Sequence, residues 1–219
     1  VSDVTPVVII LQTYERTDYA KRTIKAAKEN LIYPDLRWYI ADDGSPKKHF
    51  NAVKRALRGQ DIIGSHNEDL GYGATANKAL RAADDISPIT LWLEDDWELK
   101  RPLDLADYVA LLEEDQGAGM IRLAHIPIDL EGITGGWRGQ ILLRLYATRQ
   151  YFFSGNPSLR HRRFFEAYNL YPEGLKPGET ELKYDEQIQA TGGGPNIYIP
   201  IDAGSWGYFG HIGEVKSYD

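Results

Sequence analysis

The stretch Ile89 to Leu93 is apolar at nearly every position and runs directly into three acids, Glu94, Asp95 and Asp96. Side chains alternate between the two faces of a strand, so an unbroken apolar run has two faces to bury. Parallel sheets covered by helices on both sides meet that need. The chain around it agrees. Val7 to Leu11 is a second continuous apolar run, and Leu36 to Ala41 a third. Between and after these, apolar residues recur at helical spacing: Ala20, Ile24, Ala27 and Leu31; then Tyr72, Ala76, Ala79, Leu80 and Ala83; then Leu105, Val109 and Leu112. Thr17 or Asp18 is placed to cap the first helix. Ile62 and Ile63 mark a weak strand, and Met120 to Leu123 a fifth. Strands alternating with helices predict an α/β fold around a mainly parallel, Rossmann-like sheet.

The second half is less regular. Gly135 and Gly136 read as a loop and Ile141 to Tyr146 as a strand of mixed orientation. Leu159 to Tyr168 and Glu181 to Ala190 read as short helices, and Ile197 to Ile201 as the last strand. At 219 residues the chain fits one domain. Its organisation reads as a ligand-binding half, 1–115, and a half carrying acceptor-side and catalytic loops, 116–219.

Composition excludes several classes. There is no cysteine, hence no disulfide framework and no thiolate metal site. The net charge of −7 argues against a broad nucleic-acid face. The local basic run Arg160, His161, Arg162, Arg163 reads as a solvated helix start. No apolar run reaches the roughly 20 residues of a membrane span. Val1 to Pro6 lack the blocks of a signal peptide, so the expectation is a soluble, cytoplasmic chain.

The chemistry concentrates in two acidic groups at carboxyl ends of strands, Asp42-Asp43 and Glu94-Asp95-Asp96. Open α/β sheets bind ligands at that edge. Adjacent carboxylates repel unless a cation neutralises them, and their hard oxygens suit Mg²⁺ or Mn²⁺ shared with substrate phosphates. No P-loop lysine motif or Gly-rich dinucleotide fingerprint is present.

Four segments then carry a resemblance. Val7 to Arg16, Ile40 to Ser45, the set Asn67, Gly71 and Asn77, and Leu91 to Asp96 resemble, in order, the motifs of family 2 glycosyltransferases. The resemblance implies a single-domain GT-A-type fold and transfer of a sugar from a nucleotide diphosphate donor, UDP first, to an acceptor hydroxyl with inversion. It implies that Gln12, Thr13, Tyr14 and Glu15 line the base pocket, with Asn77 also on the donor side. Asp43 would accept a hydrogen bond from the base, Asp95 would lie near the ribose and donor sugar, and Asp96 would hold Mn²⁺ or Mg²⁺. His211, in a late Gly- and aromatic-rich segment, is a candidate second metal ligand. The catalytic base falls on Asp185 or Glu186, in either register of an acidic pair. Many relatives have arginine where this chain has Ala76, which leaves the phosphate contact to Lys78 or a distant arginine.

Trp206 is a candidate acceptor-side stacking residue. The acceptor class stays open among glycans, proteins, small molecules and modified nucleobases. Two other functions compete: a nucleotidyltransferase, and a non-catalytic sugar-nucleotide or glycan binder.

Overall fold

The structure is a computed structural model that describes residues 4–124, 131–146, 152–201 and 207–213. Trp206 lies outside them. Along the chain run β1 (Val7–Thr13), α1 (Thr17–Asn30), β2 (Leu31–Ile32), β3 (Leu36–Asp42), α2 (Lys47–Ala56), β4 (Asp61–Asn67), α3 (Tyr72–Asp84) and β5 (Ile89–Glu94). The short strands β6 (Trp97–Leu99) and β7 (Leu103–Asp104) lead into α4 (Ala106–Glu114) and β8 (Ala118–Arg122). The rest comprises β9 (Gly132–Trp137), β10 (Gln140–Leu145), β11 (Ser158–His161), α5 (Arg163–Tyr168), α6 (Pro177–Ala190), β12 (Asn196–Pro200) and β13 (Phe209–His211).

Nine strands form one sheet in the order β4-β3-β1-β5-β11-β8-β12-β10-β9. The first four are parallel. Beyond them β11 runs antiparallel between β5 and β8, and the far edge is an antiparallel hairpin. Both faces are covered. Val7, Ile9 and Leu11 pack with α1, α2 and α4, while Val8 and Ile10 pack with α3, α5 and α6. The two-faced burial inferred for Ile89 to Leu93 holds, since all five residues are buried.

Four expectations for the elements are corrected. Leu159 and Arg160 belong to β11, not to a helix, and Arg160 is fully buried at the centre of the sheet. Its guanidinium lies 4.8 Å from the Trp92 ring and donates to Tyr171 Oη at 2.6 Å. A basic residue reads as solvated until an aromatic face and a hydroxyl desolvate it together. Gly135 and Gly136 sit within β9, paired to β10. Neither Thr17 nor Asp18 caps α1; the capping position is Arg16, without a side-chain cap, and Thr17 Oγ1 meets His49 Nδ1 at 2.9 Å. Finally, α6 begins at Pro177, whose fixed backbone suits the first turn of a helix.

Candidate active site

The parallel register assembles the site. Thr13 pairs with Asp42 across β1 and β3, and Gln12 pairs with Glu94 across β1 and β5. Three motifs distant in sequence therefore end at one sheet edge. Two of them, the ends of β1 and β5, border a cavity of about 860 Å³, whose walls include Gln12, Thr13, Tyr14, Arg16, Glu94, Asp95 and Asp96. The opposite wall is the start of α6, with Lys176, Glu179 and Leu182.

Asp95 is fully buried. It accepts from Thr13 Oγ1 at 2.7 Å and from the Tyr14 backbone N–H at 3.2 Å. Burial pushes its pKa up to about 7 despite Arg16 beside it. Asp96 behaves oppositely. Burial acts against its charge, but a hydrogen bond from His211 and the Arg16 guanidinium outweigh that and hold its pKa below the ordinary carboxylate range. Arg16 bridges the two, reaching Asp96 Oδ2 at 2.6 Å and Asp95 Oδ1 at 2.5 Å.

His211 reaches the site because β13 zips antiparallel onto β6, pairing His211 with Trp97 directly after the acid triplet. Its Nε2 lies 3.2 Å from Asp96 Oδ2. Packing there is tight: a Cβ on Gly213 would stand 2.5 Å from Asp96 Oδ2. Asp96 Oδ1 is buried and has no hydrogen-bond partner among the described residues. A carboxylate with one oxygen unpaired and the other beside a histidine nitrogen fits a hard divalent cation. Among the described residues no group of three or more His, Asp or Glu is arranged to hold a metal by protein ligands alone. Mg²⁺ and Mn²⁺ bound through one or two carboxylates and substrate phosphates do not require such a group.

Glu94 accepts a hydrogen bond from Tyr72 Oη at 2.6 Å, and its pKa is pushed up to about 8 by burial and then by Asp96 and Glu181. Glu15 is exposed and adopts φ 55°, a left-handed turn that lets its neighbours Tyr14 and Arg16 both face the cavity. Its backbone N–H donates to Ser45 Oγ at 2.9 Å, tying the loop to the Asp42-Asp43 turn.

Other expected site residues stand elsewhere. Asp43 does not line the cavity. It is buried, and its Oδ1 accepts from Gly71 N (2.9 Å), Leu70 N (3.2 Å) and Thr75 Oγ1 (2.7 Å), which holds the start of α3. Asn77 is buried and bonded to the backbone of Tyr171. Asp185 lies two turns into α6, where its oxygens accept from Phe153 N (2.7 Å) and Gln189 Nε2 (2.8 Å). Glu186 is exposed and pairs with Lys183 at 2.7 Å. Neither carboxylate borders the cavity, because the helix starts eight residues before Asp185 and only its first turns form the wall.

Arg16, Tyr72, His49 and Glu181 were not singled out from sequence. His49 Nε2 meets Thr13 Oγ1 at 2.9 Å, so it braces the residue that bonds Asp95. Glu181 accepts from Gly155 N at 2.6 Å, and burial raises its pKa. A Cβ on Gly155 would meet Glu181 Oε1 at 2.2 Å and Tyr72 Oη at 3.2 Å, which puts Glu181 beside the Tyr72–Glu94 pair at the cavity. Only the tight spacing of acids along α6 could have flagged it.

With this geometry in view, comparisons with known proteins are informative. The mannosyltransferase PcManGT from Pyrobaculum calidifontis, in complex with GDP-Man and Mn²⁺, superposes with a TM-score of 0.63 at 19% identity, covering 90% of this chain and 57% of that one. S. aureus TarS 1-349 in complex with UDP-GlcNAc gives 0.67 at 14% identity, covering 96% of this chain and 61% of that one. The chain thus spans about three fifths of these structures, and the shared architecture is the GT-A glycosyltransferase fold. A comparison with curated proteins gives no match. No helix among the described residues is long and apolar enough to cross a membrane. The sequence pattern of glycosyl transferase family 2 matches residues 8–168, a span that takes in β1 from Val8 onward, the Asp42-Asp43 turn and the Glu94-Asp95-Asp96 end of β5, and the chain belongs to that family.

Proposed function

We propose that the chain transfers a sugar from a nucleoside diphosphate, UDP first, to an acceptor hydroxyl with inversion, using Mn²⁺ or Mg²⁺. The observation that carries this reading is the pair Asp96 and His211 at the mouth of β5, with Asp96 Oδ1 unpaired among the described residues and Gln12, Thr13 and Tyr14 on the same cavity as Asp96. Asp96 and His211 would hold the cation. The chemistry such an ion supplies is neutralisation of charge on the departing diphosphate. Tyr14 and Gln12 bind the base, and Asp95, held by Thr13 and Tyr14 N, orients the ribose. The likeness to complexes holding GDP-Man and UDP-GlcNAc supports a nucleotide-sugar donor.

Inversion requires a carboxylate that takes the acceptor proton from the side opposite the diphosphate. Asp185 is held on both oxygens inside the fold and Glu186 faces solvent. We assign the role instead to Glu181. It lies beside the Tyr72–Glu94 pair, whose two side chains border the cavity, and burial raises its pKa, which makes it a stronger proton acceptor. Glu179 borders the cavity but caps its own helix through the Lys176 backbone N–H.

The direct test is a panel of nucleotide sugars with and without Mn²⁺, scored by thermal shift and by donor hydrolysis. A donor raises the melting temperature only with Mn²⁺ and is slowly hydrolysed. Metal-independent binding of every nucleotide, or binding with no hydrolysis or transfer to any acceptor, would remove the assignment.

A further inference from the structure

Asp95 and Asp96 already share a cation, and it belongs to the chain itself. The Arg16 side chain is 18% exposed, and those of Asp95 and Asp96 are 0% and 8% exposed, so water screens the bridge weakly. Arg16 also occupies the capping position of α1. Unpaired N–H groups make that helix end positive, so a guanidinium there is unfavourable unless acids hold it. Its Nε is buried with no partner among the described residues. Two carboxylates therefore fix Arg16 against the field of its own helix. Among the residues bordering the cavity, Arg16 and Lys176 are the ones with positive side chains. Ala76 is buried without a charge to offer, and Lys78 pairs with Glu68 away from the cavity.

We propose that Arg16 is a built-in competitor of the divalent cation and the residue that couples cation binding to diphosphate binding. This rests on the metal-dependent reading above. A divalent ion taken up at the unpaired Asp96 Oδ1 would stand across one carboxylate from the Arg16 guanidinium on Oδ2, and two positive charges that close, weakly screened by water, repel each other. Without nucleotide, releasing Arg16 leaves a guanidinium beside a helix N-terminus with no anion. With a diphosphate in the cavity, the released guanidinium has one. Cation affinity is therefore low alone and high with nucleotide, and by linkage the nucleotide gains the same factor.

The test uses the intact chain as wild type, Arg16→Gln and Arg16→Lys. Mn²⁺ is titrated by electron paramagnetic resonance with no nucleotide, with UDP and with GDP, and folding is checked by thermal unfolding. Arg16→Gln should bind Mn²⁺ alone on the order of tenfold more tightly than wild type and lose most of the nucleotide-induced gain. Arg16→Lys should fall between, because one ammonium cannot span two carboxylates as a planar fork does. If Arg16→Gln fails to fold, the Arg16→Lys comparison decides alone. Unchanged or weaker Mn²⁺ binding by the variant, or a full nucleotide-induced gain, overturns the inference while leaving the metal reading in place. No Mn²⁺ binding by any form under any condition overturns both.

Discussion

The Asn77 carboxamide and the Tyr171 peptide satisfy each other, with Nδ2 donating to Tyr171 O at 2.9 Å and Tyr171 N donating to Oδ1 at 2.9 Å. This reciprocal pair fastens α3 to the segment leading into α6, and a further bond from Nδ2 to Glu173 Oε1 at 2.8 Å reinforces it. The two walls of the cavity are thus joined behind it, through a residue that family resemblance assigns to the donor.

Asn77→Ala should therefore destabilise the fold by about 2–4 kcal/mol, because it leaves a buried N–H and a buried C=O unpaired. Urea unfolding measures this. Nucleotide affinity, read well below the unfolding transition with Mn²⁺ present, should change little. A stable variant with a large loss of nucleotide affinity would return Asn77 to the donor site.

Asp96→Asn should abolish the Mn²⁺-dependent part of nucleotide binding while leaving the fold intact. One coordinating charge is lost, while the bond from Ile212 N–H to the backbone carbonyl of residue 96 at 2.8 Å is untouched by the substitution. Calorimetry with UDP and Mn²⁺ checks it; equal affinity would exclude Asp96 as a ligand.

Asp43→Ala should act first on stability. Its Oδ1 holds the start of α3, so loss of that cap should cost about 1–3 kcal/mol. If its carboxylate also receives the base, UDP affinity falls roughly tenfold or more. Asp43→Asn, which keeps an acceptor, should recover much of the stability. Wild-type UDP affinity in a folded Asp43→Ala protein would rule out the base contact.

For the catalytic base, Glu181→Gln should cut turnover by about a hundredfold or more with donor affinity nearly unchanged, as for a group acting in the transition state. Glu186→Gln should stay within a few-fold, since its partner is the exposed Lys183. Asp185→Asn is expected to lower stability through its bonds to Phe153 and Gln189. A product with retained anomeric configuration by NMR would reject the inverting course whichever variant is slow.

Glu94 offers a pH test of the site's electrostatics. Its pKa is raised from an ordinary carboxylate value to about 8, so the folded chain binds more protons than the unfolded one across that interval. Stability therefore falls as pH rises toward 8. Glu94→Gln keeps an acceptor for Tyr72 Oη and carries no charge. Its stability relative to wild type should rise by about 1 kcal/mol or more between pH 5.5 and 8.5. A difference that does not move with pH would show that Glu94 is not held neutral.

What the sequence determined by itself was the layered fold and the chemistry of its edge. Apolar runs such as Val7 to Leu11 and Ile89 to Leu93 must be buried on both faces, and parallel register then brings residues 12–16, 42–45 and 94–96 to one edge. These are local properties of pattern and composition. Tertiary structure alone decided what surrounds each carboxylate. Asp185 and Glu181 are four residues apart on one helix, yet Phe153 and Gln189 bind one while the other lies beside Tyr72 and Glu94. Arg160 reads as a surface charge until Trp92 and Tyr171 enclose it. Arg16 looks like a loop residue until β5 sets Asp95 and Asp96 against it. In each case the outcome depends on partners about 10 to 80 residues away. Burial and pairing of a charge are properties of its surroundings, and no local pattern carries them.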